Sequence, residues 1–187
     1  LGPEYDSGNF IKNLEDALKI SKWSNFYERK KEAKKRGKFR GIGIGCYVEA
    51  AAGGPNEDVE IIFEEDGSVS VLIGTIAIGQ GIVTSYSQVL EELLGIDFEK
   101  INIIMGDTDK VATGGGTGGS KSLMLGASAM KHASVEIINK GKKIAAHLLE
   151  ASEADINFSD GYFTIKGTDK KINITDVAKT KQSDLPE

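Results

Sequence analysis

An α+β fold, with β-hairpins packed against helices, is what this sequence predicts. Three observations carry the prediction. Two β-rich runs flank Asp66-Gly67, and two more flank Asp160-Gly161; Asp-Gly is a strong hairpin turn signal. Two long segments, one after Gly81 and one after Ser120, carry helical apolar periodicity. The regular strand–helix alternation of a doubly wound sheet is missing.

The elements follow in order. "NFIKNLEDALKIS" puts Phe10, Leu14, Ala17 and Leu18 on one helical face, with Asn9 as its cap. Ser24 is a candidate cap for a basic helix that Gly37 ends. These helices form a lead-in segment, residues 1–38, before an α+β domain over residues 39–187. "FRGIGIGCYVEA" alternates glycine with apolar residues and reads as a strand. Gly41, Gly43 and Gly45 strip one side of it, which implies another element packing close. Cys46 in that strand is expected to be a small core residue. "AAGGPNED" is a loop, and "VEIIFEEDGSVSVLIGT" is the first hairpin.

After "GQG", the residues Val83, Tyr86, Val89, Leu90, Leu93 and Leu94 form a helix with a buried stripe that Gly95 terminates. "KINIIMGD" is a strand, and "TDKVATGGGTGGS" a long, flexible glycine-rich loop. The next segment is a long helix whose Gly126, Ala127, Ser128, Ala129 and Ala133 permit close packing. The second hairpin follows, then a short helix capped by Thr175.

Composition narrows the function classes. The 187 residues suffice for one domain with a core or two small ones. No apolar run reaches the roughly 18 residues that a membrane span requires. A single cysteine rules out an internal disulfide framework and a Cys-rich zinc site, and a cytoplasmic setting fits best. The net charge of −5 hides a basic front and an acidic body. Residues 1–40 carry 11 Lys and Arg against 6 Asp and Glu. Glu28 and Glu32 lie at helix spacing from basic residues, so the basic run reads as a solvated helix face. The first residue is Leu rather than Met, so the chain is expected to be a piece of something larger.

No catalytic acid, base or nucleophile can be picked out by spacing. His132 and His147 are fifteen residues apart in one helix pattern and read as surface residues. Asp107 and Asp109 read as turn chemistry rather than a metal site. Glycine geometry remains. Gly79-Gln80-Gly81 precedes one helix, and "GGGTGG" with Ser120, Lys121 and Ser122 precedes another. Glycines let backbone N–H groups converge, and helix N-termini offer unpaired donors to an anion. "GGTGGSKS" approaches a phosphate-loop pattern but has Ser120 where that pattern needs glycine, and its strand ends too early. A nucleotide- or nucleic-acid-binding module, or a small-molecule kinase-like phosphate site, remains an alternative on these grounds.

Taken in order, "YDSGNF", "RGIGIGCYVEA", "DGSVSVLIGT", "GQGIVTSYSQVLEELLGI", "INIIMGDTD", "GGGTGGSKSLMLGASAM" and "INFSDGYFTI" resemble one family across nearly the whole chain. It is the molybdenum-binding large subunit of the xanthine dehydrogenase, aldehyde oxidase and carbon monoxide dehydrogenase group, with the bacterial carbon-monoxide-dehydrogenase-like branch the nearest. The resemblance implies a molybdopterin-binding-domain-like fold. It implies molybdopterin with molybdenum, in the cytosine dinucleotide form, and oxidation of an aldehyde, a purine or carbon monoxide with oxygen from water. It implies partners: the rest of the large subunit, and iron–sulfur and FAD subunits or domains, with no nucleic acid and no membrane.

By the same resemblance, Gly79, Gln80 and Gly81 lie against the pterin and metal end. Thr117, Gly118, Gly119, Ser120, Lys121 and Ser122 embrace the pyrophosphate and nucleotide part. Thr84 matches the family. Ile82 stands where histidine is often found, and Lys121 where arginine is common; lysine keeps the charge but not the two-pronged donor geometry. The family's catalytic glutamate has no counterpart in these 187 residues, and Cys46 does not match the family's substrate-side cysteine. No catalytic and no metal-ligating residue is therefore expected in this chain, and alone it is expected to be inactive.

Overall fold

A computed structural model describes residues 4–49 and 57–181. The chain divides into two compact units, Leu1–Val48 and Glu49–Glu187.

The first unit holds helices α1 (Phe10–Ile20) and α2 (Phe26–Lys35). Asn9 caps α1 as expected: its Oδ1 accepts from the Lys12 amide at 3.0 Å, satisfying one of the first-turn donors. Leu14 and Leu18 are half-buried, whereas Phe10 and Ala17 on the same face are exposed. Ser24 does not cap α2. It sits inside a 3-10 turn, Trp23–Asn25, and its hydroxyl bonds the Asn25 side chain instead. Gly37 does stop the helix: at φ +68° it lets the Lys38 amide fold back onto the Ala33 carbonyl at 2.9 Å. The lysines of α2 are solvated, but Arg29 is half-buried and donates to the Lys22 carbonyl at 3.0 Å; Glu32 reaches Lys35 and Arg36 along the helix face.

The strand expected from Phe39 onward is not formed. Phe39–Val48 runs without turn or bend, but it pairs with nothing among the described residues. A strand exists only through a neighbour's backbone groups, and the described residues supply none. Cys46 is correspondingly exposed, not a core residue. Of the loop expected at "AAGGPNED", residues 51–56 lie outside the described residues.

The second unit is built on two three-stranded sheets and one long helix. In the first sheet, β1 (Val59–Phe63) pairs antiparallel with β2 (Val69–Ile73), in the register Val59 to Ile73. The Asp66-Gly67 turn closes this hairpin: Asp66 accepts from the Ser68 amide and hydroxyl, which also holds its carboxyl below the usual range. Helix α3 (Ile82–Leu94) then carries the chain across to β3 (Ile101–Ile104), which pairs parallel with β2. One β-α-β crossover is thus embedded among hairpins, and β2 lies at the sheet's centre. Val69, Val71 and Ile73 are fully buried there.

The stripe of α3 begins one residue earlier than its spacing suggested. Ile82 is buried while Val83 is 42% exposed, and Tyr86, Leu90 and Leu94 follow at 0%. Each aliphatic side chain so buried contributes about 1.5–3 kcal/mol. Gly95 ends α3 in the left-handed region, φ +62°.

Helix α4 (Ser122–Leu148) spans 27 residues and packs on α3, β1 and the second sheet. That sheet orders β4 (Ile156–Ser159), β5 (Tyr162–Ile165) and β6 (Lys171–Asn173), all antiparallel. Asp160 and Gly161 at φ +51° and +79° make the tight two-residue turn that matches strand twist. β6 was not anticipated. It leads directly into α5 (Ile174–Ala178), capped by Asn173 rather than Thr175: Asn173 Oδ1 accepts from the Thr175 amide and hydroxyl.

Gly95 also sets how α3 meets the second hairpin. A Cβ on Gly95 would lie 2.1 Å from the Gly161 nitrogen, against backbone that cannot yield. Gly95→Ala therefore combines left-handed strain with a backbone clash. We expect it to cost about 3 kcal/mol or more in urea unfolding; a loss under about 0.5 kcal/mol would contradict this packing.

Candidate cofactor-binding site

The "GQG" corner links the end of β2 to α3. Gly79 and Gly81 hold φ of +95° and +76°, which ordinary side chains adopt only under strain. Open space surrounds both Cβ positions. Gln80 shapes the corner from within. Its Oε1 accepts from the Ile78 amide at 2.7 Å, and its Nε2 donates to the Ile76 carbonyl at 3.2 Å. One Nε2 hydrogen and one face of the amide oxygen remain. Gly81 forms the N-cap of α3 without any side-chain cap. The amides of the helix's first turn are left free to donate outward.

The second glycine segment, residues 107–121, is pinned at three points rather than loose. Thr113 Oγ1 donates to Asp58 at 2.6 Å. Gly114 crosses Gly74 so closely that a Cβ on Gly74 would lie 2.2 Å from the Gly114 Cα. Thr117 Oγ1 accepts from the Ile76 amide at 3.0 Å and donates to the Ile76 carbonyl at 2.6 Å. The Ile76 carbonyl therefore receives both Gln80 and Thr117, and the two glycine segments meet at a single peptide. Gly118 and Ser120 are exposed, with Ser120 at φ +52°, and Gly119 is half-buried at φ +57°. Lys121 precedes α4 with no side-chain cap to that helix, so its first amides are also free. Ser122 bonds Thr117 through its hydroxyl at 3.2 Å.

Beneath this junction lies a polar floor that sequence reasoning missed. Tyr86 is fully buried, and its hydroxyl donates to the Ser122 carbonyl at 2.7 Å. Its one hydrogen being spent there, Tyr86 accepts from the buried Thr75 hydroxyl at 2.9 Å. Burial pushes the Tyr86 phenol up; the Thr75 bond opposes this and the nearby Glu57 charge adds to it. Burial likewise raises the Glu57 carboxyl. The Gly74 and Thr75 amides and the charge of Lys121 offset part of that, while Asp58 adds to it. None of these groups bonds Glu57 Oε1, which is buried without a partner.

Lys121 is only 9% exposed, and its charge acts on the Glu57 carboxyl. A tyrosine inside an aliphatic stripe was the available signal, because a buried hydroxyl must find a partner. Glu57 and Thr75 carried no signal of their own.

The remaining candidates fall where expected. His132 and His147 are exposed on α4. Asp107 Oδ1 accepts from the Asp109 amide at 3.1 Å, which is turn chemistry. Among the described residues, no group of three or more His, Cys, Asp or Glu is placed to hold a metal. Nor is any helix among them long and apolar enough to cross a membrane.

This is a mixed fold in which two helix starts without side-chain caps follow two glycine segments that meet at Ile76, an arrangement that offers backbone donors to a polar ligand. The family model described as the molybdopterin cofactor-binding domain matches residues 16–186. The chain therefore belongs to that family, the molybdopterin-binding large subunits of the xanthine dehydrogenase and carbon monoxide dehydrogenase group.

It is 31% identical over 177 residues to the 6-hydroxypseudooxynicotine dehydrogenase complex subunit gamma of Paenarthrobacter nicotinovorans, covering 95% of this chain and 22% of that one. It is 35% identical over 188 residues to the carbon monoxide dehydrogenase large chain of Afipia carboxidovorans, covering 91% and 23%. Among solved structures, reconstituted CO dehydrogenase from Oligotropha carboxidovorans superposes with a TM-score of 0.66 at 34% identity, over 95% of this chain and 24% of that one. The chain thus spans about a quarter of the length of the relatives it matches.

Two outcomes test the floor. Tyr86→Phe leaves the Ser122 carbonyl and the Thr75 hydroxyl without their partner; we expect a loss of about 1–3 kcal/mol in denaturant unfolding. Glu57 has a folded pKa above its ordinary 4.5, so the native state binds more protons than the unfolded chain near that pH. Its carboxyl is thus tolerated below the ordinary pKa and becomes costly as pH rises through the folded one. Glu57→Gln removes that cost. Its stability relative to the unmutated chain should climb across this window and then level off, as read by unfolding titrations at a series of pH values.

Proposed function

We infer that this chain forms one wall of a molybdenum cofactor site in a molybdenum hydroxylase large subunit, and that the assembly oxidises a small substrate with oxygen drawn from water. The observation that carries the reading is the junction at Ile76. There Gln80 and Thr117 bond one carbonyl and so hold two glycine-rich, uncapped helix starts side by side.

The residues present fit such a group. Open space at Gly79 and Gly81 admits a flat ring against the backbone. The free first-turn amides of α3 and α4 offer donors for pterin heteroatoms and for phosphate oxygens. Gly79, Gln80 and Gly81 face the pterin and metal end in this reading. Thr117, Gly118, Gly119, Ser120, Lys121 and Ser122 hold the pyrophosphate and nucleotide part. The cytosine dinucleotide form of the cofactor rests on the likeness to carbon monoxide dehydrogenase large chains.

When bound, the molybdenum cofactor supplies two-electron redox chemistry. The chain's own contribution is binding, orientation and exclusion of water. Gln80 keeps one amide hydrogen to offer outward while its other groups fix the corner. Thr117 and Ser122 spend their hydroxyls on the junction, so they act by placing backbone amides. Lys121, buried beside Glu57, contributes long-range positive charge rather than a forked contact. The general base and the substrate-selecting loops belong to the remainder of the large subunit. Iron–sulfur and FAD subunits or domains, in a cytoplasmic setting, take the electrons.

Gly81→Val tests the placement. The assembly is isolated through a tag on this chain, and molybdenum is measured by elemental analysis and pterin by fluorescence. We expect Gly81→Val to lower both at least about tenfold, a difference of about 1.4 kcal/mol in binding. Gly67→Val is the matched control. Gly67 has φ +87° and open space at its Cβ but lies in the first hairpin turn, so it carries the strain without touching the site. Full molybdenum content in Gly81→Val would overturn the placement of the corner at the cofactor.

A further inference from the structure

Phe39–Val48 combines three features that no contact among the described residues explains. Its backbone has no hydrogen-bond partner among the described residues, although it runs without turn or bend. An extended run with open N–H and C=O groups on both edges is a template for pairing. Its side chains alternate: Ile42, Ile44 and Val48 on one side, all exposed, with Gly41, Gly43 and Gly45 on the other. The three glycines have neither positive φ nor any atom within 4 Å of their Cβ positions. Glycine in such a place costs chain entropy and returns nothing within this chain. Ile44 and Val48 also line, with Tyr5, Phe10, Leu14 and Ala17, a groove of about 800 Å³.

We propose that Phe39–Val48 is a sheet strand whose neighbour is an extended segment from the remainder of the large subunit. That segment adds along the open backbone edge, and bulky side chains cover the glycine face. The source follows from length and charge. Relatives are about four times as long as the matched region, so most of such a subunit lies outside these 187 residues. A second copy of this chain is disfavoured because residues 1–40 carry five net positive charges, and pairing would bring two such segments together.

The test reads amide hydrogen exchange in two samples: the chain alone, and the assembly recovered through a tag on the chain. Amides of Gly41–Val48 are expected to exchange at free-chain rates in the first and at least about a hundredfold slower in the second. Absence of protection in the assembly overturns the proposal. So does a chain recovered only as a monomer, or protection in the isolated chain accompanied by a dimer mass in light scattering.

Gly43→Val provides the independent arm. Its added side chain meets nothing among the described residues, so thermal unfolding of the isolated chain should be unchanged, while recovery of the assembly falls at least about tenfold. Assembly at the unmutated level would show that nothing packs on the glycine face and would sink the idea.

Discussion

The Tyr86 side chain sets the distances on which the rest of the second unit depends. Its ring fills the notch left by Gly126, where a Cβ would fall 2.3 Å from the phenol oxygen. Its hydroxyl bonds the first turn of α4 at Ser122 and the end of β2 through Thr75. One side chain therefore fixes α3 against α4 and both against the central strand. In a dry interior, a hydroxyl with both partners in place is strongly directional, because losing either leaves a buried polar atom unpaired.

The opposite end of α4 repeats the device with an apolar ring. Phe163 enters the notch at Gly141, where a Cβ would lie 2.3 Å from its ring, and meets Phe158 with ring centres 4.8 Å apart and planes tilted by 47°. Phe163 is held by packing alone, Tyr86 by packing and hydrogen bonds. The difference follows location. The Phe163 end lies in the apolar core; the Tyr86 end sits next to the glycine segments that meet at Ile76. Glu57 belongs to the same floor, and nearby amides and the Lys121 charge offset only part of the cost of desolvating its carboxylate.

Local chemistry was legible in the sequence and distant chemistry was not. Asn9, Gly37, Gly95, Asp66-Gly67 and Asp160-Gly161 act within four or five residues, so their spacing alone predicted caps and turns that the structure contains. The strand at Phe39–Val48 failed as a prediction because pairing is a property of two segments, and alternation describes only one of them. Asn173 displaced Thr175 as a cap because an unforeseen strand, β6, ends there and the helix starts two residues earlier. For the site, both glycine segments were visible, and so was their place before helices. Their meeting at Ile76 was not, since the contact spans 41 residues and depends on a threonine hydroxyl with no distinguishing sequence context.

Gln80 carries a consequence beyond geometry. Because its amide bonds two peptides of its own corner, the shape of that corner is settled when the chain folds, not when a ligand arrives. A loop that must be ordered on binding surrenders conformational entropy at that moment, and affinity falls accordingly. A corner held by its own glutamine spares that cost. Under the proposed function, insertion of a large prosthetic group then becomes a docking event onto a corner already rigid.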